Sequence, residues 1–517
     1  MEHLIAGFAN VLMPATLIWI VIGVSLGYML GAMPGLGKAT GVAVAIPLTF
    51  YLEPVAAIAM LIGIAKGSTA GSAVAAILLN TPGEPSSAPT ALDGYPLARQ
   101  GKAQKALKMG LFASVIGDFL STLLLIALAA PLARYALLIG PVELCAILFF
   151  SLTFIGGLAG GSMIKGLIAG ALGVFFATVG LELETFIPRM TFGTLELDDG
   201  ISLVPMAIGM LAVAEMAVQA GKMRELDSAA ATIVDGAHPN DRRVTRAEWL
   251  RCLPAIGRGT AIGSAVGILP GLGASVGSFL SYGVTRKLSK TLEAFGTGMI
   301  EGVAAAESAD NAVVPSSFVP LFALGIPGSV IAAILIAALI MHGLTPGPRM
   351  FVEQPQMVAN IYAAMLCASV IMLAIGLLGQ KLFAQVIRVP LRRVIPVVLF
   401  LCCVGAYMDS GSIFSIYVML FFAVLGYFSR KLGFSFVTFL IGFVIGPNLE
   451  LTFRQSLQIL NHDPMRLMGH PVAVVFLVLT VVVVVAIAFS NSRAAVREEL
   501  AARAATSNPR KLEEENR

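Results

Sequence analysis

The sequence predicts an all-α polytopic membrane protein, built as two inverted-topology repeats with broken or re-entrant helices plus one extra C-terminal span. Three observations predict it. The 517 residues are 57% hydrophobic and 12% charged, and the mean hydropathy is +0.88. Apolar runs such as Val472 to Phe489 approach the ~20 residues that a helix needs to cross a bilayer, and they are too long for barrel strands. The heptapeptide Gly31-Ala32-Met33-Pro34-Gly35-Leu36-Gly37 returns as Gly267-Ile268-Leu269-Pro270-Gly271-Leu272-Gly273, both times inside an apolar stretch that it must break.

Taken in order, Val11 to Leu30 reads as a retained first span, because Met1-Glu2-His3 lacks the basic stretch and cleavage site of a removed leader. Ile58 to Leu79 is apolar apart from Lys66. Apolar segments follow near 109–130, 136–158, 163–180 and 201–219, then near 357–378, 394–408, 413–429 and 432–448, with a last one near 470–490. The expected organisation is a first transmembrane repeat over 1–220, a cytoplasmic loop over 221–251 and a second repeat over 252–450. An extra span over 451–490 and a charged cytoplasmic tail over 491–517 complete it.

Lys and Arg concentrate on the cytoplasmic side of membrane proteins. Arg99, Lys102, Lys105 and Lys108 therefore read as inside, as do Arg242 to Arg251, Arg286 to Lys290, Lys381 to Arg393, Arg430-Lys431 and the segment from Arg493. Glu182 to Gly200, Gly343 to Gln356 and Glu450 to Asp463 read as outside. With Glu53 also outside, the two halves have the same order of elements and opposite orientation, as in transporters built from inverted repeats. Landmark spacing agrees: Pro34 and Pro270 are 270 − 34 = 236 apart, Gly63 and Gly302 are 239 apart, and Pro82 and Pro327 are 245 apart.

Several function classes are excluded or unsupported by composition. The net charge of +4 is spread over short loops, which argues against nucleic acid binding. Cys145, Cys252, Cys367, Cys402 and Cys403 lack metal-type spacing and read as small hydrophobes, so neither a disulfide framework nor a zinc site is expected. No cofactor is expected beyond a coupling ion. Gly31 to Thr40 is not a phosphate loop, since Ala32 stands where the first glycine is needed and Ala39 where Ser or Thr is needed. Gly273-Ala274-Ser275-Val276-Gly277 is a literal G-x-S-x-G with His342 as a distant base, the one enzymatic reading, an intramembrane serine hydrolase. No strand precedes Ser275, and its glycines already have a repeat-based explanation.

Non-helical backbone at membrane depth persists only where protein or a watery cavity satisfies it. Pro34, Gly35, Leu36 and Gly37, with Pro270, Gly271, Leu272 and Gly273, suit such breaks, and a helix beginning there offers free N–H groups to a carboxylate. Tight helix packing is the competing account of the glycines. Lys38, Lys66, Ser68 and Thr69 complete the candidate substrate site, and Glu307, Ser308, Asp310 and Asn311 the candidate ion-coupling site, because ionisable groups within spans are functional candidates. A structural tie from Lys66 to Glu307 or Asp310 is the alternative. Asp118 and Lys165 read as a structural pair or a snorkelling side chain, and Trp249 as an interface anchor.

These residues carry a resemblance. Gly31 to Gly37 with Gly41 to Pro47, Lys66 to Ser72, Asn80-Thr81-Pro82-Gly83, Asp93-Gly94-Tyr95-Pro96, Arg189 to Gly193, Gly267 to Gly273, Glu307 to Ala312 and Gly325-Ile326-Pro327-Gly328 together resemble the large membrane subunit of the tripartite tricarboxylate transporters over most of the chain. The resemblance implies a secondary importer of di- or tricarboxylates or related organic acids in the bacterial cytoplasmic membrane. It implies a Na⁺ or H⁺ gradient, a periplasmic substrate-binding protein and a small membrane subunit of about four spans. A stand-alone carboxylate symporter is the runner-up. The inverted arrangement predicts that a cysteine at Leu52 reacts with a membrane-impermeant thiol reagent added outside intact cells; reactivity from the cytoplasm alone contradicts it.

Overall fold

A computed structural model describes residues 2–33, 37–158, 162–182, 185–221, 238–386 and 391–486. Pro34, Gly35 and Leu36, much of the expected loop over 221–251 and the expected tail over 491–517 lie outside the described residues. Among the described residues, eight helices are long and apolar enough to cross a membrane, and four shorter apolar helices accompany them. Among the described residues the one sheet is a two-stranded antiparallel ladder, Gly180–Leu181 with Pro188–Arg189, in the segment expected as an outer loop.

The first half begins with α1 (Glu2–Val11) and α2 (Pro14–Gly31); proline at the first helical turn lacks only an N–H that would be unpaired there. After the break, Gly37 is extended and opens α3 (Lys38–Ala45), which tightens into a 3₁₀ segment ending at Tyr51. α4 (Pro54–Leu79) is almost wholly buried. Asn80, at φ 54°, ends it in the left-handed conformation that closes helix C-termini. A short 3₁₀ turn, Pro85–Ser87, leads to α5 (Ala88–Arg99), α6 (Ala103–Ala136), α7 (Pro141–Leu158), α8 (Met163–Ala177) and α9 (Leu203–Gly221).

The second half repeats this plan. α10 (Arg246–Ile268) and α11 (Gly273–Leu288) flank the second heptapeptide, and α12 (Ile300–Ser316) with α13 (Phe318–Leu324) takes the place of α4. Gly325, at φ 72°, ends α13 as Asn80 ends α4. There follow α14 (Val330–Met341), α15 (Pro355–Val386), α16 (Leu391–Ser410), α17 (Ile413–Lys431), α18 (Phe436–Ile459) and α19 (Pro471–Ala486). Two boundaries differ from expectation. A Thr245–Glu248 capping box starts α10 at Arg246, inside the expected loop. Glu450, expected in an outer loop, lies within α18, where the Arg189 guanidinium grips its carboxylate at 2.6 and 3.2 Å.

Packing reveals why the glycines recur every fourth residue. Gly23, Gly27 and Gly31 of α2 face the backbone of α4 at Met60, Ile64 and Ser68, and Gly63, Gly67 and Gly71 answer from α4; a Cβ at any of them collides with the opposite main chain. Gly259, Gly263 and Gly267 of α10 face Ala305, Ala309 and Val313 of α12 in the same way. Small residues thus allow backbone-to-backbone approach, as in membrane helix dimers. The two sets match at 263 − 27 = 236 on the first helix and 309 − 64 = 245 on the second. The 239 between Gly63 and Gly302 is therefore a chance spacing, and Gly302 instead sits against the Asp93 carboxylate.

α4 and α12 form the centre. α12 packs on α6 and α10, α4 on α2 and α15, and α1 lies along α15. A second group gathers α7, α8 and α18, with α9 packed on α16 and α17. Overpacking a membrane helix contact costs about 1–3 kcal/mol or more. Gly27→Leu and Gly263→Leu should each lower the melting temperature of the purified protein by several degrees, read by thermal-shift fluorescence in detergent; unchanged melting would deny the close contact.

Candidate functional site

The break after α2 delivers Lys38 to the first turn of α3, and the Pro82-Gly83 turn after α4 delivers Glu84 beside it. Lys38 Nζ lies 3.0 Å from Glu84 Oε2 and 3.0 Å from Asp310 Oδ1, with all three side chains buried. The Lys38 backbone N–H also donates to Glu84 Oε1, and Gly37 packs on the Glu84 side chain. Ser86 Oγ donates to Asp310 Oδ2 at 3.0 Å. Lys38, Glu84 and Ser86 come from the first half and Asp310 from the second, so the cluster joins them.

One turn before Asp310, Glu307 is fully buried. Thr90 Oγ1 donates to its Oε1 at 2.6 Å and Ser114 Oγ to its Oε2 at 2.9 Å. Asn311 Nδ2 donates to Ser114 Oγ at 2.9 Å and reaches Glu307 Oε2 at 3.5 Å. Among the described residues no Lys, Arg or His lies within ion-pair distance of Glu307. Ser308, by contrast, turns to its own helix, donating to the Ala305 carbonyl at 3.3 Å.

Lys66 is tied elsewhere. Its Nζ contacts Asp118 Oδ2 at 2.6 Å, the Met365 carbonyl at 2.7 Å, Ser369 Oγ at 3.0 Å and Thr122 Oγ1 at 3.3 Å. Ser369 closes the set by donating to Asp118 at 2.5 Å. With every proton engaged, Lys66 joins α4, α6 and α15, and its tie runs to Asp118, the structural pair that the sequence allowed, not to Glu307 or Asp310. Lys165 donates to the Leu432 carbonyl at 2.7 Å, beside the Phe434 ring.

Of the remaining candidates, Thr69 donates to the Ala65 carbonyl at 2.9 Å, and Ser68 Oγ is buried with no hydrogen-bond partner. Ser68 lies where α4 meets Gly31, just before the first break. At the second break Gly271 has φ 89° and Gly273 φ 71°, conformations that glycine adopts without strain. Gly271 donates to the Gly328 carbonyl at 3.3 Å and packs on Ile155 of α7, so Gly271 is held between α7 and the Pro327-Gly328 turn, with Pro270 and Leu272 on either side of it in the chain. α11, which starts at Gly273, packs on the Pro85–Ser87 turn, and α3, which starts after the first break, packs on α14. Each break thus leans on the other half. Ser275 and His342 share no hydrogen bond, and His342 Nε2 is without a partner.

Glu84, Ser86, Thr90 and Ser114 were not anticipated. Glu84 carried a signal, since it directly follows the Pro82-Gly83 landmark; the hydroxyls carried none. Lys38 and Lys66 face Glu84, Asp118, Glu307 and Asp310, two ammonium groups against four carboxyls. Two of the four carboxyls have no ammonium of their own.

A bundle of broken spans around a charged, hydroxyl-rich centre defines a multi-pass membrane protein of the transporter type. The chain belongs to the tripartite tricarboxylate transporter TctA family, whose pattern it matches over residues 17–441. It is 36% identical over 472 residues to an uncharacterized 52.8 kDa protein of the TAR-I ttuC′ 3′ region of Agrobacterium vitis, covering 91% of this chain and 93% of that one. An uncharacterized protein of the TAR-II ttuC′ 3′ region of the same organism is 35% identical over 223 residues, 43% of this chain and 92% of that one. No solved structure matches significantly.

Breaking one side of a buried ion pair costs about 3–5 kcal/mol, more than removing both charges. Lys66→Met should therefore destabilise the purified protein strongly, and Lys66→Met with Asp118→Leu should recover much of the loss, measured as a double-mutant cycle of melting temperatures. Additive losses would show that the pair is not coupled.

Proposed function

We propose that this chain is the translocating subunit of a secondary importer of di- or tricarboxylates or related organic acids, driven by a Na⁺ or H⁺ gradient. It resides in the bacterial cytoplasmic membrane with its C-terminus inside. A periplasmic binding protein hands over the substrate, and a small membrane subunit of about four spans completes the assembly. The two halves act as inverted repeats, the second running from α10 at Arg246 to the end of α18 at Ile459.

The excess of buried carboxyl over ammonium groups carries this reading. Substrate carboxylates and buried Glu307 and Asp310 repel one another unless cations accompany the substrate, so binding of anion and cation is coupled. Lys38 is the one ammonium placed to exchange partners: an arriving carboxylate displaces Glu84 or Asp310, and the displaced group takes up the proton or Na⁺. The breaks at Pro34 to Gly37 and Pro270 to Gly273 supply N–H groups for further substrate carboxylates, with Lys66, Ser68 and Thr69 behind the first. Glu307, Ser308, Asp310 and Asn311 form the ion side, where Asn311 and the hydroxyls of Thr90 and Ser114 offer oxygen ligands of the kind that hard cations prefer.

The test is uptake of radiolabelled tricarboxylate into proteoliposomes holding the three components. Uptake should require an imposed Na⁺ or H⁺ gradient. Glu307→Gln should lower gradient-driven uptake at least tenfold while leaving the protein folded by melting temperature, and Gly35→Val with Gly271→Val should abolish uptake. Equal uptake with the gradient collapsed overturns the coupling, and full uptake without the binding protein replaces this reading with a stand-alone symporter.

A further inference from the structure

One helix face of the second half does not match its repeat counterpart. α2 and α10 align at a spacing of 236 through their inward glycines, so their outward positions can be compared directly. On α2 the outward positions Ile18, Val21, Ile22 and Met29, with Ser25 among them, are mostly bulky and apolar, as a lipid-facing helix requires, and Ile18, Val21 and Met29 are well exposed. The corresponding residues of α10 are Pro254, Gly257, Arg258, Ala265 and Ala261. Gly257 has no atom within 4 Å of where its Cβ would stand, and neither has Gly283 on the neighbouring α11, so both glycines open onto the outside of the bundle. Phe279 and Leu280 of α11, each about half exposed, rise beside them.

Arg258 makes the face unsuited to lipid. It lies nine residues, about 14 Å along the helix, beyond Trp249, and with Trp249 at the membrane interface, as expected from sequence, that places it inside a hydrocarbon core of ~30 Å. It is half-buried, its Nε is sealed from solvent with no partner, and no ion pair or hydrogen bond of its guanidinium occurs among the described residues. A guanidinium at that depth carries a penalty of about 2.5–3.5 kcal/mol or more on insertion scales unless an anion meets it. The neighbouring Arg251, by contrast, is paired with Glu301 at 2.5 Å.

We propose that the α10–α11 face around Gly257, Arg258 and Ala261 is the docking surface for a transmembrane helix of a second polypeptide, one that carries a carboxylate level with Arg258. The flat glycine and alanine surface admits a close helix, and Arg258 supplies the charge that selects it. A second copy of this chain is not the occupant: Asp93, Asp118, Glu307 and Asp310 of its helices are buried, Glu143, Glu215, Glu301 and Glu450 are already paired with His470, Arg430, Arg251 and Arg189, and Asp409 is hydrogen-bonded to Ser202. The partner is therefore the small membrane subunit, an identification that rests on the tripartite reading above. Docked there, it braces the hairpin that carries the second break.

The test is co-purification of the small membrane subunit with the affinity-tagged chain from co-expressing cells. Gly257→Phe and Ala261→Phe should each reduce recovered partner at least tenfold, and Arg258→Leu should do so while Arg258→Lys retains part of it. The repeat-related variants Val21→Phe and Ser25→Phe should leave recovery unchanged, and melting temperatures confirm folding of each variant. As a second readout, a benzophenone attached at Ala261→Cys, with the five native cysteines replaced by Ser, should form an adduct of the mass of this chain plus the small subunit. An adduct of two copies of this chain, or loss of bound anionic lipid in Arg258→Leu with the partner retained, overturns the proposal. If wild-type chain holds no small subunit, the tripartite reading fails; if it does and the α10 variants hold it equally well, the docking face alone fails.

Discussion

An ammonium removed from water must find its counter-charge inside the bundle, and here Lys38 and Lys66 do so by joining elements that are distant in sequence. Lys38 unites the start of α3, the turn after α4 and the middle of α12 through Glu84 and Asp310. Lys66 unites α4, α6 and α15 through Asp118, Ser369 and the Met365 carbonyl. Both links need α4 and α12 to lie at the centre, and the glycine contacts of α2 with α4 and of α10 with α12 allow helices to approach that closely. Packing and electrostatics are thus one constraint: without the backbone contacts, no side chain would reach its partner.

The two halves share a backbone plan and differ in chemistry. At the spacings set by packing, Ala274 stands where the first half has Lys38, Asn311 where it has Lys66, and Ser329 where it has Glu84. Conversely, Ile62 and Ala65 stand where the second half has Glu307 and Asp310. The first half therefore supplies both ammonium groups together with Glu84 and Asp118, and the second supplies Glu307 and Asp310. A symmetric frame holding an asymmetric site is consistent with a task in which an anion and a cation are handled side by side.

Much of this was legible in the sequence. Apolar runs located the spans, and the repeated heptapeptide marked the two breaks. Lys66, Glu307 and Asp310 announced themselves because a charge within an apolar run must have a reason. What remained hidden was pairing. A single chain shows which residues are charged but not which helices are neighbours, so the tie from Lys66 fell to Asp118 in place of Glu307 or Asp310. Thr90 and Ser114 are ordinary small polar residues whose role appears only when α5 and α6 meet α12. The glycines at every fourth position of α2, α4 and α10 were a readable packing signal, overshadowed by the glycines of the breaks. Gly302 misled for the same reason, since glycine alone does not say whether it faces a helix or a carboxylate.

Asp93 fixes where the molecule can be divided. Its Oδ1 accepts the backbone N–H groups of Gly296, Gly298 and Met299 at 2.8 to 3.0 Å, and its Oδ2 accepts from Tyr282 at 2.9 Å. One buried side chain of α5 therefore clasps the loop that leads into α12 and the helix that follows the second break. Halves cut at the middle of the sequence could not slide past each other without stripping four donors from a carboxylate out of reach of water. A seam that spares this clasp keeps α5, α11 and α12 together, apart from the group built from α7, α8, α9, α16, α17 and α18. Such a seam cuts through each half of the sequence, so the body on either side of it is assembled from pieces of both.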